Sequence, residues 1–151
     1  MNTQSEELIN DRQEIKDTLE SVHRYRDHAM WDKISDYFVE KPYVDDIELT
    51  REAPGIKNVK ELISNWRHEL RSYFYATRHR IQSMRVKILG NKEASASSVV
   101  KGQYFINDRG VRYVLNIDGT YEYSLVKKAG KWKIGTLKFI LKRQELKEIG
   151  L

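Results

Sequence analysis

A chain of 151 residues with 40% hydrophobic and 32% charged residues has the size and balance of one soluble globular domain, residues 1–151. It has no cysteine, which excludes disulfides, thiolate metal sites and a cysteine nucleophile, and suits a cytoplasmic location. The net charge of +5 gathers toward the C-terminal third, from Lys127 to Lys147. Glu145 and Glu148 interrupt that run and no nucleic-acid-binding motif accompanies it. A solvated strand face is therefore expected, and no nucleic-acid partner. Met1 to Glu7 lacks the basic and apolar regions of a signal peptide. No apolar run approaches the roughly 18 residues that cross a bilayer, so no membrane partner is expected.

Thr3-x-x-Glu6 reads as a capping box for a first helix. Leu8, Ile15, Leu19, Val22 and Arg26 fall along one stripe of it, with Arg26 the lone cation. His23, His28 and His68 read as lying in helical, charge-rich surroundings. A short second helix is expected from Trp31, presenting Ile34, Tyr37 and Phe38 and stopping before Pro42. Tyr43 to Leu49 then reads as a strand, ended by a turn at Pro54-Gly55. Asn58-x-x-Glu61 caps a third helix whose apolar face is Val59, Leu62, Ile63, Trp66 and Leu70.

From His79 the period changes to two. Ile81 and Ser83 share one parity while Met84, Val86 and Ile88 share the other, the trace of a β-bulge. Gly90-Asn91-Lys92 turns the chain into a strand over about 94–106, and Asn107 to Gly110 turns it again. Val111 to Lys127 carries a hairpin signal at Asp118-Gly119. Ala129-Gly130 leads to a last strand, where Trp132 and Ile134 give way to Leu137, Phe139 and Leu141 at a second parity slip. Helices first and strands after them make an α+β layer design.

Asp27 stands four residues before Trp31, and Thr77-Arg78-His79 opens the first long strand. With Gly130-x-Trp132-x-Ile134 near the end, this order resembles the SnoaL-like family of the nuclear transport factor 2-like superfamily, which includes scytalone dehydratase and polyketide cyclases. The resemblance implies three N-terminal helices packed on a strongly bent antiparallel sheet, forming a cone with a deep pocket. It also implies one bent strand through 111–127, with Gly119 as a bulge glycine rather than a hairpin turn.

Asp27 and His79 match the Asp–His pair that performs proton transfer in scytalone dehydratase. Where that enzyme carries two tyrosines, the resemblance places Arg26 and Asp46 here. Its second histidine corresponds to the neighbourhood of Ser98, and its active-site asparagine to Tyr121. The base is kept while the groups that recognise scytalone are not.

A carboxylate on one imidazole nitrogen fixes the tautomer and leaves the other nitrogen to accept a proton, general-base catalysis worth roughly 10²–10⁴-fold. The expected function is a small lyase or isomerase, of dehydratase or cyclase type, acting on a small apolar molecule bearing a carbonyl or hydroxyl. Asp27 and His79 would be catalytic, with Arg26, Asp46, Trp66, Ser98 and Tyr121 binding substrate. Arg26 and Asp46 would face each other as an ion pair or as an anchor for a substrate carboxylate; the alternative is that helix rotation sends Arg26 outward, its stem covering apolar surface.

The alternative for His79 is a buried structural histidine, and for Asp27 a pairing with His23 one turn away. At the level of function the alternative is a non-catalytic binding domain or an oxygenase small subunit of the same fold. No zinc-type His spacing and no Gly-rich phosphate loop is present, so neither metal nor cofactor is expected. A homodimer through the sheet face of strands 94–106 and 111–127 is expected, because an open bent sheet leaves apolar positions uncovered.

Overall fold

The computed structural model describes residues 3–150, without the side chains of Thr3 and Arg71, so the Thr3 cap lies outside the described residues. Helix α1 runs Thr3–Asp27, followed by two 3-10 turns (Trp31–Lys33 and Ser35–Tyr37), strand β1 (Phe38–Asp45) and a single helical turn α2 (Ile47–Thr50). Then come β2 (Gly55–Ile56), α3 (Val59–Ser72), β3 (Ala76–Ile88), β4 (Glu93–Asp108), β5 (Val111–Lys128) and β6 (Lys131–Gly150). The strands form one six-stranded sheet in the order β2-β1-β6-β5-β4-β3. All neighbours are antiparallel except β1 and β6, which run parallel. Helices packed on a strongly curved sheet make the α+β cone that the resemblance implies.

The core begins on the α1 stripe at Ile15, Leu19 and Val22, which meet Leu62 and Trp66 of α3 and the inner sheet face. Leu8, the first residue of that stripe, remains exposed, because burial starts only one turn further on. Asn58 caps α3 by accepting from the Lys60 N–H at 2.9 Å.

Two expectations shift between residues 31 and 50. The second helix is a pair of 3-10 turns, and Phe38 already belongs to β1. The strand covers Phe38–Asp45 instead of Tyr43 to Leu49, because Pro42 lies inside β1 where the register with β6 slips between Phe38 and Tyr43. A slip needs no ladder donor there, so a residue without N–H fits; its carbonyl still accepts from Lys57 N–H at 2.9 Å.

Curvature comes from single extra residues. The expected bulge of β3 is present, but its extra residue is Gln82, between Ile81 and Ser83; Ser83 is exposed and does not share the inward face of Ile81. Gly135 is the extra residue of β6 opposite Ser124 and Leu125, matching the second slip. At Asp118/Gly119 the extra residue is Lys142 on β6, so Gly119 faces a bulge and is not itself the inserted residue. No hairpin forms there. Gly119 is required for space, since a Cβ would lie 2.3 Å from Phe139 Cζ and 2.7 Å from the Ile140 carbonyl. Gly119→Ala is therefore expected to lower stability by about 1–3 kcal/mol in urea titration through overpacking.

Candidate active site

α1 ends at Asp27, and β3 is an edge strand whose outward N–H groups have no neighbouring strand. Asp27 meets that edge. One carboxylate oxygen accepts from His79 N–H at 2.6 Å; the other accepts from Thr77 Oγ1 at 2.9 Å and His79 Nδ1 at 2.6 Å. The two side chains are nearly buried, 2% exposed for His79 and 11% for Asp27. In the neutral ring that donates Nδ1–H to Asp27, the lone pair is on Nε2, which lies 2.9 Å from the Tyr104 hydroxyl and accepts from it. Asp27 therefore pairs with His79 and not with His23.

Gly102 lies opposite His79 in the β3–β4 ladder. A Cβ there would stand 3.2 Å from Tyr104 Cε2 and 3.6 Å from His79 Cδ2, so the glycine makes room for both rings. A solvent-open depression between α1 and β3, lined among others by His23, Asp27 and His79, reaches the pair.

The second half of the site centres on Arg26. Its guanidinium stacks on the Trp66 ring, 3.8 Å from the centroid. Trp66 Nε1 donates to Asp46 Oδ2 at 3.3 Å, and Thr50 Oγ1 donates to Asp46 Oδ1 at 3.0 Å. Arg26 and Asp46 thus meet through the indole, without an ion pair within 4 Å. Burial works against the charge of Arg26, but Tyr121, Tyr104, Asp46 and Glu69 raise its pKa above the ordinary value. Tyr121 is buried beside it, and burial raises its phenol pKa while Arg26 opposes that shift.

Ser98 is brought to a different partner. Its hydroxyl lies 2.9 Å from the Tyr123 hydroxyl, which lies 2.8 Å from His23 Nε2. His23 is buried, 3% exposed, its ring centroid 5.5 Å from that of His79 and 4.7 Å from that of Tyr121. His23 thus faces the interior, although its sequence surroundings are charge-rich. The signal was present in the chain: residue 23 follows Leu19 by four and precedes Arg26 by three, on the buried stripe. Burial, and then His79 and Arg26, push its pKa well below the ordinary value, so it is neutral near pH 7.

The SnoaL-like domain pattern matches residues 7–138 of the chain. The chain belongs to the SnoaL-like domain family. No curated protein matches this SnoaL-like domain in sequence. Among solved structures it is similar to the Kfla4162 protein from Kribbella flavida at 19% identity and TM-score 0.81, covering 91% of this chain and 95% of that one. It is similar to a candidate scytalone dehydratase from Novosphingobium aromaticivorans at 15% identity and TM-score 0.78, with coverages of 93% and 90%. A hexachlorocyclohexane dehydrochlorinase from Novosphingobium barchaimii gives 10% identity, TM-score 0.80, and coverages of 94% and 93%. At these identities the likeness is one of fold. No described helix is long and apolar enough to cross a membrane, and no described group of three His, Asp or Glu residues has a metal-binding arrangement.

Glu69 was not anticipated from sequence. Burial pushes its carboxyl from 4.5 up to about 7, with Arg26 opposing and Asp46 and Glu52 adding to the rise. The folded state therefore holds a proton that the unfolded chain releases. The stability this contributes is complete below pH 4.5 and lost as pH rises through about 7. Glu69→Gln is expected to flatten that part of the profile, measured by thermal melts across the window.

Proposed function

We propose that this SnoaL-like domain is a cofactor-independent lyase or isomerase in which His79 is the general base and Asp27 its orienting carboxylate. The reading is carried by one observation: Asp27 holds Nδ1–H and the backbone N–H of His79 together, leaving Nε2 as the only basic nitrogen of the ring. The Tyr104 O–H on Nε2 marks the direction from which a substrate C–H would approach. His79 takes that proton, and the electron pair of the C–H bond moves into an adjacent carbonyl to give an enolate. Return of the proton at another carbon completes an isomerisation; departure of a leaving group completes an elimination. The dehydratase and dehydrochlorinase named among the structural relatives are consistent with this class of chemistry.

Arg26 is proposed as the anchor for an anionic or carbonyl oxygen, since no carboxylate neutralises it directly. Trp66 stacks on it and is held by Asp46, and Tyr121 is buried beside it. Ser98 contributes through Tyr123. The substrate is a small, largely apolar molecule, taken up in the cone.

Solvent-deuterium exchange into the α-carbon of a panel of small cyclic ketones, followed by NMR, tests the base. Wild-type protein is expected to catalyse exchange, with His79→Gln slower by about 10²–10⁴-fold. Asp27→Asn should slow exchange comparably and also lower stability by about 1–3 kcal/mol, because an amide cannot accept all three hydrogen bonds. Exchange unchanged in His79→Gln would refute the base and leave a non-catalytic binding domain of this fold.

A homodimer through the outer sheet face is also proposed. Val99 of β4 and Ile140 of β6 are exposed on the sheet. Sedimentation at micromolar concentration is expected to show a dimer; a monomer would count against it.

A further inference from the structure

The chain contains a buried hydrogen-bonding group that the fold itself leaves unused. His23 Nδ1 is the one buried side-chain polar atom among the described residues without a partner. Leaving such an atom unmet in a core costs about 1–3 kcal/mol, so its retention calls for a reason.

The chemistry of Nδ1 follows from the three groups beside it. Ser98 Oγ, Tyr123 OH and His23 Nε2 form a chain with spacings of 2.9 and 2.8 Å. If Ser98 donates to Tyr123 and Tyr123 donates to Nε2, both hydroxyl hydrogens are used. The proton of the neutral imidazole then sits on Nδ1. In the reverse direction Nε2–H donates to Tyr123, Tyr123 donates to Ser98, and the Ser98 hydrogen has no acceptor among the described residues. The first direction leaves one group unmet and the second leaves two. The first direction is the better satisfied, and it makes Nδ1 an N–H donor on the α1 stripe.

We propose that His23 is the oxyanion donor of the site: its Nδ1–H hydrogen-bonds the substrate oxygen that becomes negative when His79 removes the proton. His23 is placed for this role, since its ring centroid is 5.5 Å from that of His79 and it lines the depression that also borders Asp27 and His79. A donor must keep its proton and remain uncharged until the oxygen gains charge. Burial, and then His79 and Arg26 beside it, keep the imidazole neutral. Preorganised donors of this kind act without reorganisation at the moment of reaction. The substrate class narrows accordingly, to molecules whose acidic C–H stands next to a carbonyl oxygen.

The inference rests on His79 being the base, and its test does not need turnover. 4-Nitrophenol serves as a probe at a pH where it is ionised, its phenolate oxygen standing in for an enolate. Wild-type protein is expected to bind the phenolate in preference to 4-nitrotoluene, read by absorbance and NMR titration. His23→Gln places its amide near the Nε2 position, keeps a partner for Tyr123 and removes the donor at Nδ1; it should weaken phenolate binding about tenfold or more. His23→Asn places an amide near Nδ1 and should lose less. In wild-type protein, ¹⁵N couplings should show the His23 proton on Nδ1, a readout independent of whether the variants fold. A proton on Nε2, failure of wild type to bind, or binding indifferent to His23→Gln would overturn the proposal. If phenolate binding depends on His23 while ketone exchange does not occur, the base reading fails and the donor stands. If exchange depends on His79 while phenolate ignores His23, only the donor fails.

Discussion

The Asp27 carboxylate is the joint on which the structure turns. It ends α1 and satisfies three donors of β3: one hydroxyl, one backbone N–H and one imidazole. An edge strand presents N–H groups with no strand to receive them, and a buried one left unmet is costly. Placing a carboxylate there closes the edge, fixes the crossing of helix and sheet, and sets the His79 tautomer. Architecture and proposed chemistry therefore use the same atoms. The N-terminal half of α1 is held in the same manner. Asp11 accepts from Trp132 Nε1 at 2.9 Å and Lys127 Nζ at 3.0 Å, while Arg12 donates to the Val86 carbonyl at 2.6 Å.

With α1 fixed in both halves, the sheet must curve to meet it. Extra residues at Gln82, Gly135 and Lys142 bend β3 and β6, and the missing side chains of Gly102 and Gly119 let the rings lean inward. His79, Tyr104, Tyr121 and Tyr123 converge on α1 because of that bending. In a flat sheet with the same alternation, β3 and β5 would carry their rings side by side with two strand spacings between them.

Much of this was readable in the chain. Parity counts indicate the bulges of β3 and β6, though not which residue is inserted, because a strand's side-chain period of two makes an insertion visible. Asn58 announces α3 through its side-chain chemistry. The Asp27–His79 proximity was reached through resemblance, since residues fifty positions apart share no local signal. What stayed hidden has physical reasons. Pro42 reads as a stop, yet it is tolerated inside β1 where the β1–β6 register slips. His23 occupies a legible stripe position, but the charged residues around it in sequence mask its helical phase. Lys142 lies where the strand becomes exposed, so polarity no longer reports its parity. The rise of Glu69 depends on Arg26, Asp46 and Glu52 gathering in space.

The interior is built with unequal numbers of charges, and that imbalance shapes what it can accept. Arg26 carries its charge against an indole face and tyrosine hydroxyls, with Asp46 one indole removed and Glu69 protonated up to about pH 7. Asp27 spends its negative charge on three β3 donors. His23 is neutral, so it adds a dipole without competing for the negative partners of Arg26. A buried cation with no carboxylate in contact is unstable unless something negative is shared with it. A substrate oxygen that acquires charge during proton abstraction would meet that need only transiently. The same arrangement would then favour the transition state over the neutral substrate, which is the condition for binding energy to appear as rate.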